Sequence, residues 1–345
     1  MEFKPVVTKE TKNKIVVDYD GKLSVKERFI RKLKASNTWM TVLVHVLKFI
    51  LMLGVSYVIL FPFFSKIAGS FMSRDDVIDA TVSLIPKNFT FEQYKYIALD
   101  NNYAKAFVNT LTLSLLCALI QTFVACLVGY GLSKFKFKGN KIVMLVVVIT
   151  MIIPHSAMDI AMTQHFTSFD LGYVMSLGGK GILGSIFGKI ELTNTFWPFV
   201  ILSLGGIAFK NGLYIYLMRQ FFKGVPDELE ESAYVDGSGT FRTFLQIILP
   251  LSVPMMITIF LFSFSWQWTD EFYSNLFLRN GDPWTMYHLP SSIPEHLATN
   301  YAGKAIYEDV IKNTTGMMII GPLVVMYLFC QRYLVQGIER SGIVG

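Results

Sequence analysis

Six stretches of this chain are apolar for long enough to cross a lipid bilayer, and that limits its folds more than any other feature. They are Val42–Phe64, Phe107–Leu132, Ile142–Met162, Phe196–Met218, Pro254–Phe272 and Met317–Leu334. Each runs 18 to 26 residues, against about 20 needed to cross the hydrocarbon at 1.5 Å rise per residue. Lipid offers no hydrogen bonds to backbone groups, so each span is predicted to be helical. Composition agrees: of 345 residues 52% are hydrophobic and only 16% charged, against about 25% charged in soluble domains. Without lipid, the chain lacks the interior to hide its apolar surface. This excludes a disordered protein, a secreted disulfide scaffold and an ordinary cytosolic enzyme. Cys117, Cys126 and Cys330 lie inside apolar runs without metal-ligand spacing and read as small apolar side chains. The fold class expected is an all-α integral membrane protein with six crossings.

Orientation follows from Lys and Arg placement. Residues 1–41 hold ten basic side chains, and the short run Lys134–Lys141 holds four Lys and no acid. Both segments are predicted to be cytoplasmic, and an even number of spans puts the C-terminus on the same side. The division expected is a basic tail over 1–41, a six-helix membrane domain over 42–335 and a C-terminal tail over 336–345. No apolar run precedes the first span, so no cleavable signal is expected there. The tail reads as a positive-inside anchor touching anionic lipid, and not as a nucleic-acid patch. Three outer segments are long: 65–106, the Gly-rich 163–195, expected to be a flexible, re-entrant or interfacial connection, and 273–316.

Chemistry concentrates in the cytoplasmic loop 224–250, between spans four and five. Pro226 suits the first turn of a helix, and Asp227 and Glu228 complement its positive end. Leu229 and Ala233 share a face, while Glu230, Glu231 and Asp236 are expected to keep the rest wet. Gly237 is predicted to stop the helix in a left-handed cap. A second short helix is expected over Thr240–Leu249, ended by Pro250. The outcome would be a helix–turn–helix on the membrane surface with an acidic side.

The pattern Glu231-x-Ala233, Gly237, then Ile247-x-Leu249-Pro250 resembles the "EAA" signature of binding-protein-dependent ABC importer permeases, with Ser232 replacing the usual first Ala. Further landmarks are similar to the carbohydrate-uptake, MalG-like branch. They are Phe107–Asn109–Thr110, Gly129–Tyr130–Gly131, Arg219–Gln220–Phe221–Phe222 and Gln331–Arg332–Tyr333 with Gln336–Gly337. The resemblance covers about residues 40–345. It implies type I ABC importer permease architecture, in a bacterial plasma membrane, with loop 224–250 as a coupling helix docked on a separate ATPase. Partners implied are a MalF-like second permease, two cytoplasmic ATPase subunits of the MalK or MsmK kind, and an extracellular or periplasmic sugar-binding protein. The C-terminal tail from Gln336 would lie against the ATPase pair. Glu231 would meet a basic partner residue and Gly237 would make the tight turn; Glu230, Ser232, Ala233, Asp236, Ile247, Leu249 and Pro250 complete the coupling set. The plain alternative is a charged surface loop held down by Leu229 and Phe241.

No G-x-x-x-x-G-K-[ST] occurs, so nothing in the sequence cradles nucleotide phosphates. No cofactor is expected on this chain, with ATP and Mg on the partner ATPase. No H-E-x-x-H or paired-Cys motif supports a metal site, and no metal or catalytic residue is expected. Catalysis is expected to lie elsewhere.

Polar groups at membrane depth are expensive and face a bundle or a wet cavity. Lys210 and Asn211 sit mid-way along span four beside Gly205, Gly206 and Gly212, which would let a neighbouring helix approach. Lys210 either lines the path or pairs with an acid, or else is a fixed structural ion pair or a snorkelling side chain. Asp159 lies toward the outer end of span three, near His155. Span five offers Trp266, Gln267 and Asp270, whose aromatic faces and polar groups suit sugars; Trp268 reads as an interfacial belt residue. Asn109 and Gln121 in span two either face cargo or bond a neighbouring helix. The segment around Asp282, Trp284–Thr285 and His288–Leu289–Pro290 reads as an exposed aromatic loop, and the resemblance implies contact with the binding protein there. The leading reading is the MalG-like half of an oligosaccharide importer. The alternatives are an importer for another solute, and a non-transport membrane scaffold or enzyme.

Overall fold

One face of a single long helix carries small side chains, and several other helices pack around it. In the computed structural model, residues 9–10, 16–17, 36–170, 190–281, 284–291 and 304–342 are described, with side chains over 39–170, 190–281, 284–290 and 305–332. The chain forms two units, Met1–Lys66 and Ile67–Gly345. The first contains the two-residue strands β1 (Lys9–Glu10) and β2 (Val16–Val17), paired antiparallel, and most of helix α1 (Ser36–Gly69). α1 contains the predicted first span and carries Pro62 inside it.

The second unit is helical. After the end of α1 come the short α2 (Arg74–Ile78) and α3 (Glu92–Leu99) and then the central α4 (Tyr103–Lys134). α4 buries Ala106, Ser114, Cys117, Ala118, Thr122, Ala125, Cys126 and Gly129 along one face. Small residues at helical spacing let partner helices approach closely, which is how helices associate where lipid removes most of the hydrophobic drive. α4 packs against α7 (Trp197–Leu204), α8 (Asn211–Lys223) and α11 (Leu249–Trp268); α8 also packs on α5 (Asn140–Ile152), and α11 on α13 (Lys304–Gly342). Near the 224–250 loop the core is Tyr130, Tyr214, Met218, Phe222, Phe244, Ile248 and Ile259. At the opposite end it is Phe166, Phe169, Phe199, Leu202, Tyr273 and Phe277.

Among the described residues, four helices are long and apolar enough to cross a membrane, within Trp39–Gly69, Tyr103–Lys134, Thr240–Trp268 and Ala305–Arg332. The predicted third span is not one rod. α5 stops at Ile152, a 3₁₀ turn covers His155–Met158, and α6 (Asp159–Thr167) leaves at 97° to α5. Pro154 removes a helical N–H and forces Ile153 into extended backbone (ψ 119°), which ends the helix there. Counted as one, the pair is a fifth crossing. The predicted fourth span is likewise divided, into α7 and α8, by Gly205–Lys210; Gly206 (φ 69°) and Lys210 (φ 68°) both take left-handed backbone. The predicted fifth span starts earlier and ends sooner. Its rod is continuous from Thr240, where α10 (Thr240–Thr243) begins, to Trp268, so Pro250 does not terminate the second loop helix, and Phe272 begins α12 (Phe272–Phe277). A π-turn over Phe244–Ile248 immediately precedes Pro250, so the missing N–H falls where the backbone bonding is already rearranged.

Segment 163–195 is described only at its ends, where Phe169 and Ile190 exchange backbone hydrogen bonds of 2.9 and 3.2 Å. Its Gly-rich middle lies outside the described residues, as does most of the basic tail. α13 continues by its backbone to Gly342, so helix covers much of the predicted C-terminal tail.

Two glycines on α4 separate packing from propensity. A Cβ on Gly129 would lie 2.7 Å from Met218 Cβ and 3.0 Å from the Arg219 amide, whereas one on Gly131 meets nothing within 4 Å. Gly129→Ala is expected to lower stability by about 1–3 kcal/mol. Gly131→Ala should be neutral or stabilising by up to about 1 kcal/mol. Thermal unfolding of the two purified variants in detergent checks the pair.

Candidate functional site

The 224–250 loop divides into an inward and an outward set. α8 ends at Lys223, and buried Val225 turns the chain toward α9 (Glu228–Val235), two residues later than the Pro226 start expected. The buried ammonium of Lys134, at the end of α4, donates to Val225 O at 2.6 Å and forms an ion pair with Asp227. That hydrogen bond and charge hold the Asp227 carboxyl below its ordinary pKa. α9 closes with Ser238 N donating to Ala233 O at 2.9 Å and Gly237 N to Tyr234 O at 3.0 Å, with Gly237 at φ 79°. This is the predicted left-handed cap.

Ala233 is buried, and Ile247 and Leu249 pack against the core cluster. Glu231, Ser232, Asp236 and Pro250 are exposed. Glu230 departs from expectation: it is only 8% exposed, beside Tyr130 of α4, and burial raises its pKa. The helix turns Glu230 inward because it lies three residues before Ala233 on the same face. Around the exposed acids stand Val235 at 87% and Phe241 at 74% exposure, so the tip is apolar as well as acidic.

A second group of predicted residues meets where α7, α8, α11 and α12 converge. Gln121 donates to Ser203 Oγ at 3.0 Å and accepts from Ser263 Oγ at 2.6 Å, stitching α4 to α7 and α11. Gln121, Trp266, Gln267 and Asp270 line a narrow cavity of about 10 Å³ with Phe209, Ser263 and Tyr273. Asp270 is committed to backbone: its carboxylate accepts from Tyr273 N at 3.2 Å and Ser274 N at 3.0 Å, capping α12. Next to it a larger cavity of about 450 Å³ is walled by Lys210, His155, Pro154, Phe209, Gly212 and Phe272, among others. The Lys210 ammonium lies 4.7 Å from the Phe209 ring centroid and 5.0 Å from that of Trp266. Asn211 is buried, donating to Ser203 O at 3.3 Å. Phe209, Phe272 and Tyr273 carried no separate signal in the sequence, where they are three aromatics among many.

Asn109 and Asp159 are not in this group. Asn109 donates to Trp284 O at 2.7 Å, and Asp159, in α6, lines neither cavity. Trp268 is not an interfacial belt residue: it is 3% exposed, donates to Ile319 O at 2.9 Å and packs on Phe264 and Phe107. Segment 284–291 is not an exposed loop either. Thr285, Met286, His288 and Leu289 are buried, and Met286 N donates to Thr110 Oγ1 at 2.9 Å, fastening the segment to α4.

A family model described as the binding-protein-dependent transport system inner membrane component matches residues 121–339, more than half of the chain. The chain belongs to this family. Binding-protein-dependent inner membrane components are multi-pass membrane permeases that work with other subunits and are not themselves enzymes. Among curated relatives, the galactooligosaccharides transport system permease protein GanQ of Bacillus subtilis is 26% identical over 86% of this chain and 94% of its own length. The maltodextrin transport system permease protein MalD of Streptococcus pneumoniae is 27% identical over 87% and 95%. A chain from the crystal structure of a bacterial ABC transporter involved in import of the acidic polysaccharide alginate superposes with a TM-score of 0.65. It is 19% identical, covering 90% of this chain and 98% of that one, and supports the fold alone.

Burial of Glu230 gives this permease a pH signature. A carboxyl whose folded pKa is raised is held protonated in the native state where the unfolded chain would ionise. Stability is therefore lost as pH rises through that window. Glu230→Gln is expected to raise the thermal midpoint at about pH 8 and to leave it unchanged at about pH 4. Melting curves of the purified protein at the two pH values check this.

Proposed function

We propose that this chain is the membrane-spanning subunit of an ATP-driven importer whose cargo is an oligosaccharide, and that loop 224–250 couples it to a separate cytoplasmic ATPase. The observation that carries the reading is the division of the loop: Glu231, Ser232 and Asp236 face outward around an apolar tip, while Ala233, Ile247 and Leu249 anchor it to the helices. A docking surface needs the first set and a transmitting lever the second. Force applied at α9 reaches α4 through Lys134 and its bonds to Val225 and Asp227, and reaches α11 directly along the rod that starts at Thr240. Two states of such packed helices, inward-open and outward-open, would give alternating access.

The cargo class is supported by the relatives, whose names specify galactooligosaccharides, maltodextrin and arabinooligosaccharides. In this reading the broken third and fourth elements each count as one crossing, giving six, with both termini cytoplasmic in a bacterial cell membrane. The partners are a second permease, two ATPase subunits that hold the nucleotide and Mg, and a sugar-binding protein outside. This chain binds no cofactor. Lys210, Asn211, Gln121, Trp266, Gln267 and Asp270 form or brace the path, and Asn109 and Asp159 support it from outside the cavity walls.

The test is cargo-stimulated ATP turnover by the reconstituted complex, with the binding protein present, against a panel of oligosaccharides and non-sugar solutes. Oligosaccharides alone should stimulate. Glu231→Lys and Gly237→Asp should each cut stimulated turnover by about tenfold or more, the equivalent of one lost interfacial contact, with the membrane domain still inserted. Full turnover in both variants refutes the coupling role, and stimulation by a non-sugar solute alone refutes the cargo class.

A further inference from the structure

Lys210 is an unusual residue for its place. It takes left-handed backbone (φ 68°), where Gly or Asn costs less, and a Lys there adds conformational strain on top of the cost of a cation at membrane depth. Strain of this kind persists where the surroundings enforce it, and it concentrates at functional sites. The ammonium is seated against the rings of Phe209 and Trp266, at 4.7 and 5.0 Å from their centroids. Ring faces stabilise a cation by about 0.5–2 kcal/mol but leave its charge intact.

No carboxylate neutralises it among the described residues. Asp270, the acid close to Trp266, lines the smaller neighbouring cavity and not this one, and Asp159 is in the wall of neither. The result is a net positive charge on the wall of a cavity of about 450 Å³, inside the range of about 300–1,000 Å³ common to small-ligand sites. The ring of His155 stands 5.0 Å from that of Phe209 and 6.4 Å from that of Phe272, so flat faces adjoin the charge. A sugar needs such faces for its C–H surface, and a carboxylate or sulfate on that sugar would add the opposite charge that a neutral hydroxyl cannot give the ammonium.

We propose that Lys210 forms an anion-recognition subsite, and that the cargo includes oligosaccharides bearing carboxylate or sulfate groups. The proposal rests on the oligosaccharide-importer reading and narrows it. The same ammonium could meet a lipid phosphate, so lipid charge has to be varied independently of cargo.

The experiment measures ATP turnover by the complete complex in nanodiscs, with its binding protein present. The probes are a neutral oligosaccharide, its uronate counterpart, the methyl ester of that uronate, and a sulfated counterpart, each in neutral and in anionic lipid. Wild type should favour the uronate or the sulfated form over the neutral form and the ester by about tenfold in kcat/KM, a difference of one charge-assisted contact. Lys210→Met should collapse that ratio, chiefly through KM, and Lys210→Arg should restore it to within about threefold. The esterified probe tests wild type directly, so the outcome stands even where Lys210→Met fails to assemble. An acidic-to-neutral ratio near one in wild type overturns the subsite and leaves the importer reading in place. So does a ratio unchanged in Lys210→Met, or one that follows lipid charge and not cargo charge. Failure of every oligosaccharide to raise turnover overturns both.

Discussion

Close approach of backbones around α4 is the constraint on which the rest of this permease depends. In lipid there is little hydrophobic gain from bringing two apolar helices together, so association rests on van der Waals contact and a few buried hydrogen bonds. α4 supplies both. Its Ala, Ser, Cys and Gly side chains admit α8 and α11 to near contact, as at Gly129 against Met218. Gln121 then fixes three helices with two bonds. Because the packing is tight, α4, α8 and α11 form one interlocked group.

That coherence bears on the coupling role proposed for the loop. A surface helix joined to the membrane domain by a floppy tether could bind a partner and transmit nothing. Here Lys134 grips both the carbonyl and the carboxylate at the start of the loop, Gly237 fixes its turn, and Ile247 and Leu249 seat its far side in the core. Glu230 adds a buried carboxyl under the same helix, at an electrostatic cost that the neighbouring Lys134 partly offsets.

The sequence made the membrane class, the loop and its cap legible, since all three depend on local signals: apolar length, a fixed motif spacing and a glycine where positive φ is required. Three features were not legible, each for a different physical reason. Pro154 and Gly205–Gly206 break helices whose hydropathy is uninterrupted, so a window that counts apolar residues passes over them. Trp268 and segment 284–291 are placed by contacts with α13 and α4, which lie far along the chain. Pro250 is tolerated inside a rod because the π-turn before it rearranges the backbone bonding, a matter of helix geometry that no residue type announces. Of the polar candidates, spacing alone could not separate those that reach a cavity from Asn109, whose amide is taken up by a carbonyl 175 residues away.

The π-turn over Phe244–Ile248 carries one more implication. A π-turn holds one residue more than the α-turn it replaces, and each residue of a helix advances it by about 100°. It therefore sets the angular phase between the part of the rod that carries Phe241 and the part that carries Trp266, roughly 25 residues and ~38 Å further on. Shedding that extra residue, by deletion or by migration of the widened turn, would screw Trp266 about a quarter-turn away from Lys210 while leaving both ends of the rod intact.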